Sequence, residues 1–96
     1  MNMKYVNVDY KIVVGKQVRR LRLKAGMTQD ILSERCGIYR TYLSRIEAGS
    51  ANPTLLILIA LSASLEVPIG DLFEPIDETA EHSTGNLPMR ARRPKE

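Results

Sequence analysis

Residues 26–49, GMTQDILSERCGIYRTYLSRIEAG, leave this chain little freedom besides two short helices joined by a tight turn. Thr28 is placed to cap a helix over 28–36, because its hydroxyl can accept from backbone N–H groups that a first helical turn leaves unbonded. Ile31, Leu32 and Cys36 supply apolar positions along that helix. Gly37 takes the slot just past it, where a left-handed backbone is needed and glycine adopts it at no steric cost. After Gly37-Ile38-Tyr39 a second helix is predicted over 39–47, with Leu43 and Ile46 three apart and so on one face. The other face carries Arg40, Thr41, Ser44 and Arg45. A helix that is apolar below and displays guanidinium and hydroxyl groups above is suited to reading base edges in a DNA major groove.

The charge distribution agrees. Between Lys11 and Arg45 there are nine Lys and Arg against two acids, Asp30 and Glu34, a net of +7. From Ile46 to Glu74 there is no Lys or Arg, against Glu47, Glu66, Asp71 and Glu74, a net of −4. One half can neutralise phosphates and the other is repelled by them. The basic residues of the first helix alone are equally explained as a solvated face; the adjoining helix-turn-helix tips them toward phosphate.

Ninety-six residues make one small domain with a modest core. A leader over 1–9 is either frayed or a strand-like arm. A first helix is predicted over about 10–25, with Tyr10, Val14, Val18, Leu21 and Ala25 inward. The small residues Ala48-Gly49-Ser50-Ala51-Asn52 form a loop ending at Pro53. A fourth helix is predicted over 54–65, and Val67-Pro68 leads into a short fifth near 68–73. The domain therefore spans 10–74. Residues 75–96 carry Pro, Gly and separated charges without an apolar period, the pattern of a flexible charged tail, either a linker or a nonspecific DNA contact.

No apolar run reaches the roughly 18 residues of a membrane span, and the N-terminus lacks the features of a secretory signal. The lone Cys36 cannot form an internal disulfide, so a cytoplasmic protein is expected. No nucleophile–base set, metal cluster or phosphate-cradling glycine loop is visible, and His82 has no companion ligands. Neither an enzyme, a cofactor, a metal nor a small-molecule ligand is expected.

The helix-turn-helix residues closely resemble those of the phage repressor and Cro (XRE-type) family. Val18-Arg19-Arg20-Leu21-Arg22 followed by Gly26-Met27-Thr28-Gln29 matches the family's first helix and its entry to the second. Pro53-Thr54-Leu55, Leu65-Glu66-Val67 and Asp71-Leu72-Phe73 match its fourth and fifth helices. The resemblance covers about residues 12–74 and implies an all-α, compact five-helix lambda-repressor-like fold. The run Arg40-Thr41-Tyr42-Leu43-Ser44 with Ile46-Glu47 is also similar to the controller proteins of restriction–modification systems. Three positions depart from the pattern: Tyr39 replaces a capping Ser or Thr, Ser33 a usual Ala, and Ile31 a charged residue.

Through this resemblance Arg40, Thr41, Ser44 and Arg45 match base-reading positions. Arg can bond guanine O6 and N7 together, though either arginine can instead hold a phosphate, which positions without specifying. Gln29 matches a residue that clamps the DNA backbone, beside Thr28. Arg19, Tyr42, Ser50 and Asn52 are further phosphate candidates, with packing the alternative for Tyr42 and capping for Asn52. Arg22 and Glu47 match a structural salt bridge between the first helix and the end of the third.

The fourth helix, TLLILIALSASL, is nearly apolar all round. The family pattern puts Leu55, Leu58, Ile59, Leu61, Ser62 and Leu65 inward, leaving Leu56, Ile57, Ala60 and Ala63 as an apolar surface. Such a surface marks an interface. The expected protein is a homodimeric transcriptional regulator on double-stranded DNA with a pseudo-palindromic operator. The competing reading is a protein-binding module whose fourth helix grips another chain.

Overall fold

Four α-helices and a closing 3-10 turn follow one another within residues 8–76, the part of the chain that the computed structural model describes. The leader and tail expectations fall mostly on residues 1–7 and 77–96, outside the described residues. Helix α1 spans Tyr10–Lys24, α2 Gln29–Cys36, α3 Arg40–Glu47 and α4 Leu55–Leu65, and the 3-10 turn covers Ile69–Phe73. Among the described residues there is no strand, and no helix is long and apolar enough to cross a membrane.

Short polar side chains start three of the helices. Asp9 accepts from Lys11 N at 3.0 Å, Thr28 from Ile31 N at 3.1 Å and Thr54 from Ile57 N at 3.2 Å. Tyr39 makes no such bond, so α3 begins without a side-chain cap. Gly37 ends α2 in the left-handed conformation at φ 72°. The expected fifth helix is a 3-10 turn. Its bonds run from Asp71 N to Pro68 O and from Glu74 N to Asp71 O, three residues apart, in a segment too short to propagate an α-helix.

Every element places a fully buried side chain in one core: Val18 from α1, Leu32 from α2, Leu43 and Ile46 from α3, Leu61 from α4 and Leu72 from the turn. Helix α1 lies against α3 and the 3-10 turn, and α2 against α3 and α4. Tyr10 and Ala25, expected inward, are at the surface because the ends of α1 outrun the core. Tyr10 instead meets Phe73 edge-on, ring centroids 6.3 Å apart.

Two residues of α1 do structural work that its apolar stripe does not announce. At Gly15 a Cβ would strike the carbonyl of Ile46 and come within 2.8 Å of the carbonyl of Glu47, so α1 crosses the end of α3 backbone to backbone. Gln17 is 2% exposed. Its Nε2 donates to the Glu74 carbonyl at 2.6 Å, and its Oε1 accepts from Arg20 Nε and Nη2 at 3.2 and 3.0 Å. The buried amide thereby fastens the end of the domain to α1.

Helix α4 is rotated from its expected setting. Leu58, Leu61, Ser62 and Leu65 are buried, but Leu55 and Ile59 are 64% and 46% exposed. Leu56 is 75% exposed, Ala63 is exposed too, and Ile57 packs partly against the core. Ala60 is half-buried, and its carbonyl accepts from the Cys36 thiol at 3.6 Å. The exposed apolar face is therefore Leu55, Leu56, Ile59 and Ala63, with Ile57 and Ala60 withdrawn from it. At 3.6 residues per turn those four positions share one side of the helix.

Candidate nucleic-acid interface

Helix α3 divides by face. Leu43, Ile46 and Glu47 are buried, and Arg40, Thr41 and Arg45 are exposed, with Ser44 half-buried beside them. Tyr42 is also half-buried and packs against the core, which favours its packing role. The loop after α3 exposes Ser50 and Asn52, and Ser50 Oγ donates to the Arg45 carbonyl at 3.2 Å. Arg19 is exposed on α1.

The starts of α2 and α3 come together. Arg40 Nη1 donates to Gln29 Oε1 at 3.5 Å, and Arg40 Nε lies 3.3 Å from Asp30 Oδ1. The first turn of α2 also presents free backbone N–H groups and the positive helix end, which favour a phosphate. The Thr28 hydroxyl oxygen already serves as the cap, leaving its proton for a donor role.

Beneath this edge lies a buried ion pair. Arg22 Nε donates to Glu47 Oε2 at 2.7 Å and Nη2 to Glu47 Oε1 at 2.9 Å, while Nη1 donates to the Met27 carbonyl at 2.9 Å. The two side chains are only 9% and 4% exposed. The bond to Glu47 raises the Arg22 pKa, outweighing burial, which lowers it. Glu47 Oε1 also accepts from Gln29 Nε2 at 3.0 Å. An unbroken polar chain thus runs from Arg22 through Glu47 and Gln29 to Arg40 and Asp30. Sequence reasoning found the Arg22–Glu47 and Gln29 positions through the family resemblance. It missed Asp30, whose only signal is an acid in the first turn of α2.

The Cys36 sulfur lies 3.4 Å from the Ser64 hydroxyl, which can donate to it. Burial pushes its pKa up, with the Ser64 contact opposing, so Cys36 is a packed thiol with little thiolate at neutral pH.

The helix-turn-helix family profile (HTH_3) matches residues 18–72, more than half of the chain. The uncharacterised HTH-type transcriptional regulator y4dJ of Sinorhizobium fredii is 39% identical over 72 residues, 75% of this chain and 94% of that protein. Control protein C.BamHI of Bacillus amyloliquefaciens is 37% identical over 67 residues, 69% of this chain and 83% of its own. The restriction–modification controller protein C.Esp1396I, solved as a tetramer in complex with its natural 35 base-pair operator, is similar in structure with a TM-score of 0.58 at 30% identity. That match covers 68% of this chain and 96% of the controller protein. With a capped α2, a left-handed Gly37 and a polar-faced α3 in the matched segment, the chain belongs to the helix-turn-helix (HTH_3, XRE-type) family of DNA-binding transcriptional regulators.

Proposed function

We propose that this protein is a sequence-specific regulator that binds double-stranded DNA as a homodimer, with α3 in the major groove of each half of a pseudo-palindromic operator. The observation that carries this reading is the edge formed by exposed Arg40, Thr41 and Arg45 with half-buried Ser44, beside the open start of α2. Arginines at such an edge can read guanine, and the α2 N–H groups can hold the backbone that sets the register. That the similar controller protein C.Esp1396I was solved as a tetramer in complex with its operator supports operator binding by an oligomer. Replacing Arg45 by Ala is expected to cost about 1–3 kcal/mol at one base pair only. Titration of single-base operator variants checks this; equal weakening on every sequence would make Arg45 a phosphate contact instead.

The dimer reading rests on α4. Leu55, Leu56, Ile59 and Ala63 form an exposed apolar face, and α4 itself carries no charged residue to repel a second copy. Two copies joined there as an isologous pair can offer two α3 helices to successive major grooves, roughly 34–36 Å apart. Leu56→Lys is expected to yield a folded monomer in sedimentation equilibrium, with operator affinity reduced because one half-site contact must then act alone. A Leu56→Lys protein that remains dimeric contradicts this interface.

A further inference from the structure

Arg40 opens α3 with an exposed side chain, so no packing in the core fixes where its guanidinium points. One acceptor and one charge from α2 flank it instead. Asp30 Oδ1 lies 3.3 Å from Nε, and Gln29 Oε1 accepts from Nη1 at 3.5 Å. The direction of the Gln29 amide is itself set from below. Its Nε2 donates to Glu47 Oε1 at 3.0 Å; an ionised carboxylate only accepts, so the amide carbonyl is left facing Arg40. The Asp30 carboxylate flanks the Nε side of the planar guanidinium as an ion pair rather than a hydrogen bond. Among the described residues Nη2 makes no hydrogen bond and Nη1 makes only the long one to Gln29, which leaves the Nη end of the fork accessible to guanine O6 and N7.

Asp30, an acid in the first turn of α2, suits the positive helix end, but on this edge it opposes DNA. Its side chain is 79% exposed and stands in the first turn of α2, beside the N–H groups suited to a phosphate. A negative charge there weakens attraction to DNA. We propose that Asp30 is a positioning residue for Arg40: with Gln29 it turns the guanidinium Nη edge outward, making Arg40 a guanine reader and keeping it off phosphate. The inference rests on the DNA-reading role of α3 proposed above.

The test compares the full chain with Asp30→Ala, Asp30→Asn, Arg40→Ala and the Asp30→Ala/Arg40→Ala double variant. Each is used to select from random double-stranded DNA at about 0.15 M salt, and binding to unrelated DNA is titrated against salt. Arg40→Ala is expected to remove the guanine preference at one base pair. Asp30→Ala should lower that preference about tenfold at the same pair. It should also bind unrelated DNA more tightly, with a salt slope steeper by about 0.9, as Arg40 moves to a phosphate. Asp30→Asn keeps an acceptor oxygen and should fall between. On the Arg40→Ala background the Asp30 change should leave base preference untouched. A purely helix-stabilising Asp30 would weaken all sequences together and spare the preference, which overturns the proposal. So does an Arg40→Ala protein that keeps every preference, or an Asp30 effect that persists without Arg40. If the unaltered protein selects no sequence, the DNA-reading role of α3 fails as well; if it does select and Asp30→Ala selects identically, only the role of Asp30 fails.

Discussion

Glu47→Ala is expected to bring the domain close to unfolding at ordinary temperature. The substitution strands the Arg22 guanidinium, 9% exposed, with the Met27 carbonyl as its remaining hydrogen-bond partner. Removing one member of a buried ion pair costs about 3–5 kcal/mol, because the other charge stays desolvated. A small domain has roughly 5–15 kcal/mol in total, and one of this size lies at the lower end. Urea unfolding followed by far-UV circular dichroism measures the loss. Arg22→Met combined with Glu47→Leu should recover much of it, since two apolar residues carry no stranded charge. A loss below about 1 kcal/mol for Glu47→Ala would mean that the pair acts like an exposed one. The raised pKa of Arg22 sets the alkaline limit of this contribution, which is lost only as pH rises beyond ordinary arginine titration.

Gly15→Ala carries the second large effect, and its sign is diagnostic. Alanine is the better helix former by about 1 kcal/mol, so propensity alone predicts a more stable protein. The added Cβ meets the backbone carbonyls of Ile46 and Glu47, the second at 2.8 Å, and backbone cannot rotate away as a side chain can. Helix α1 must then lift from the end of α3, where Glu47 faces Arg22. Overpacking of this kind costs about 1–3 kcal/mol and more when backbone has to move. We expect a net loss of about 2 kcal/mol, or a fall in Tm of roughly 10 °C in a domain of this size. An unchanged or raised Tm contradicts the close crossing.

The helix-turn-helix was legible because its boundaries are written in single residues. Thr28 caps α2 and Gly37 closes it, and both act within a few residues of their own position. Helix α4 was legible as an element but not in its rotation. Its apolar residues occur all round, so periodicity offers no phase, and the core decides that Leu58 and Leu61 go in while Leu55 and Ile59 go out. Gly15 and Gln17 escaped for a different reason. Each is defined by a partner distant in sequence, the ends of α3 and of the 3-10 turn, and neither residue type signals burial by itself. Gln17 does lie between Val14 and Val18 on the inward side of α1, which is the trace the sequence held. In the candidate interface, the positions of Gln29, Arg40 and Arg45 came through family resemblance. The polar chain that joins Glu47 to Gln29, Arg40 and Asp30 depends on side-chain directions across two helices, which no local pattern encodes.

The central claim, that α3 reads DNA in a paired arrangement, is tested most directly by selecting random double-stranded DNA with the full chain at about 0.15 M salt and sequencing the bound pool. The account predicts an enriched inverted repeat whose half-sites are centred about one helical turn apart, each containing a guanine whose enrichment disappears with Arg40→Ala or Arg45→Ala. A bound pool with no enriched sequence, retained only through salt-sensitive contacts, would contradict it.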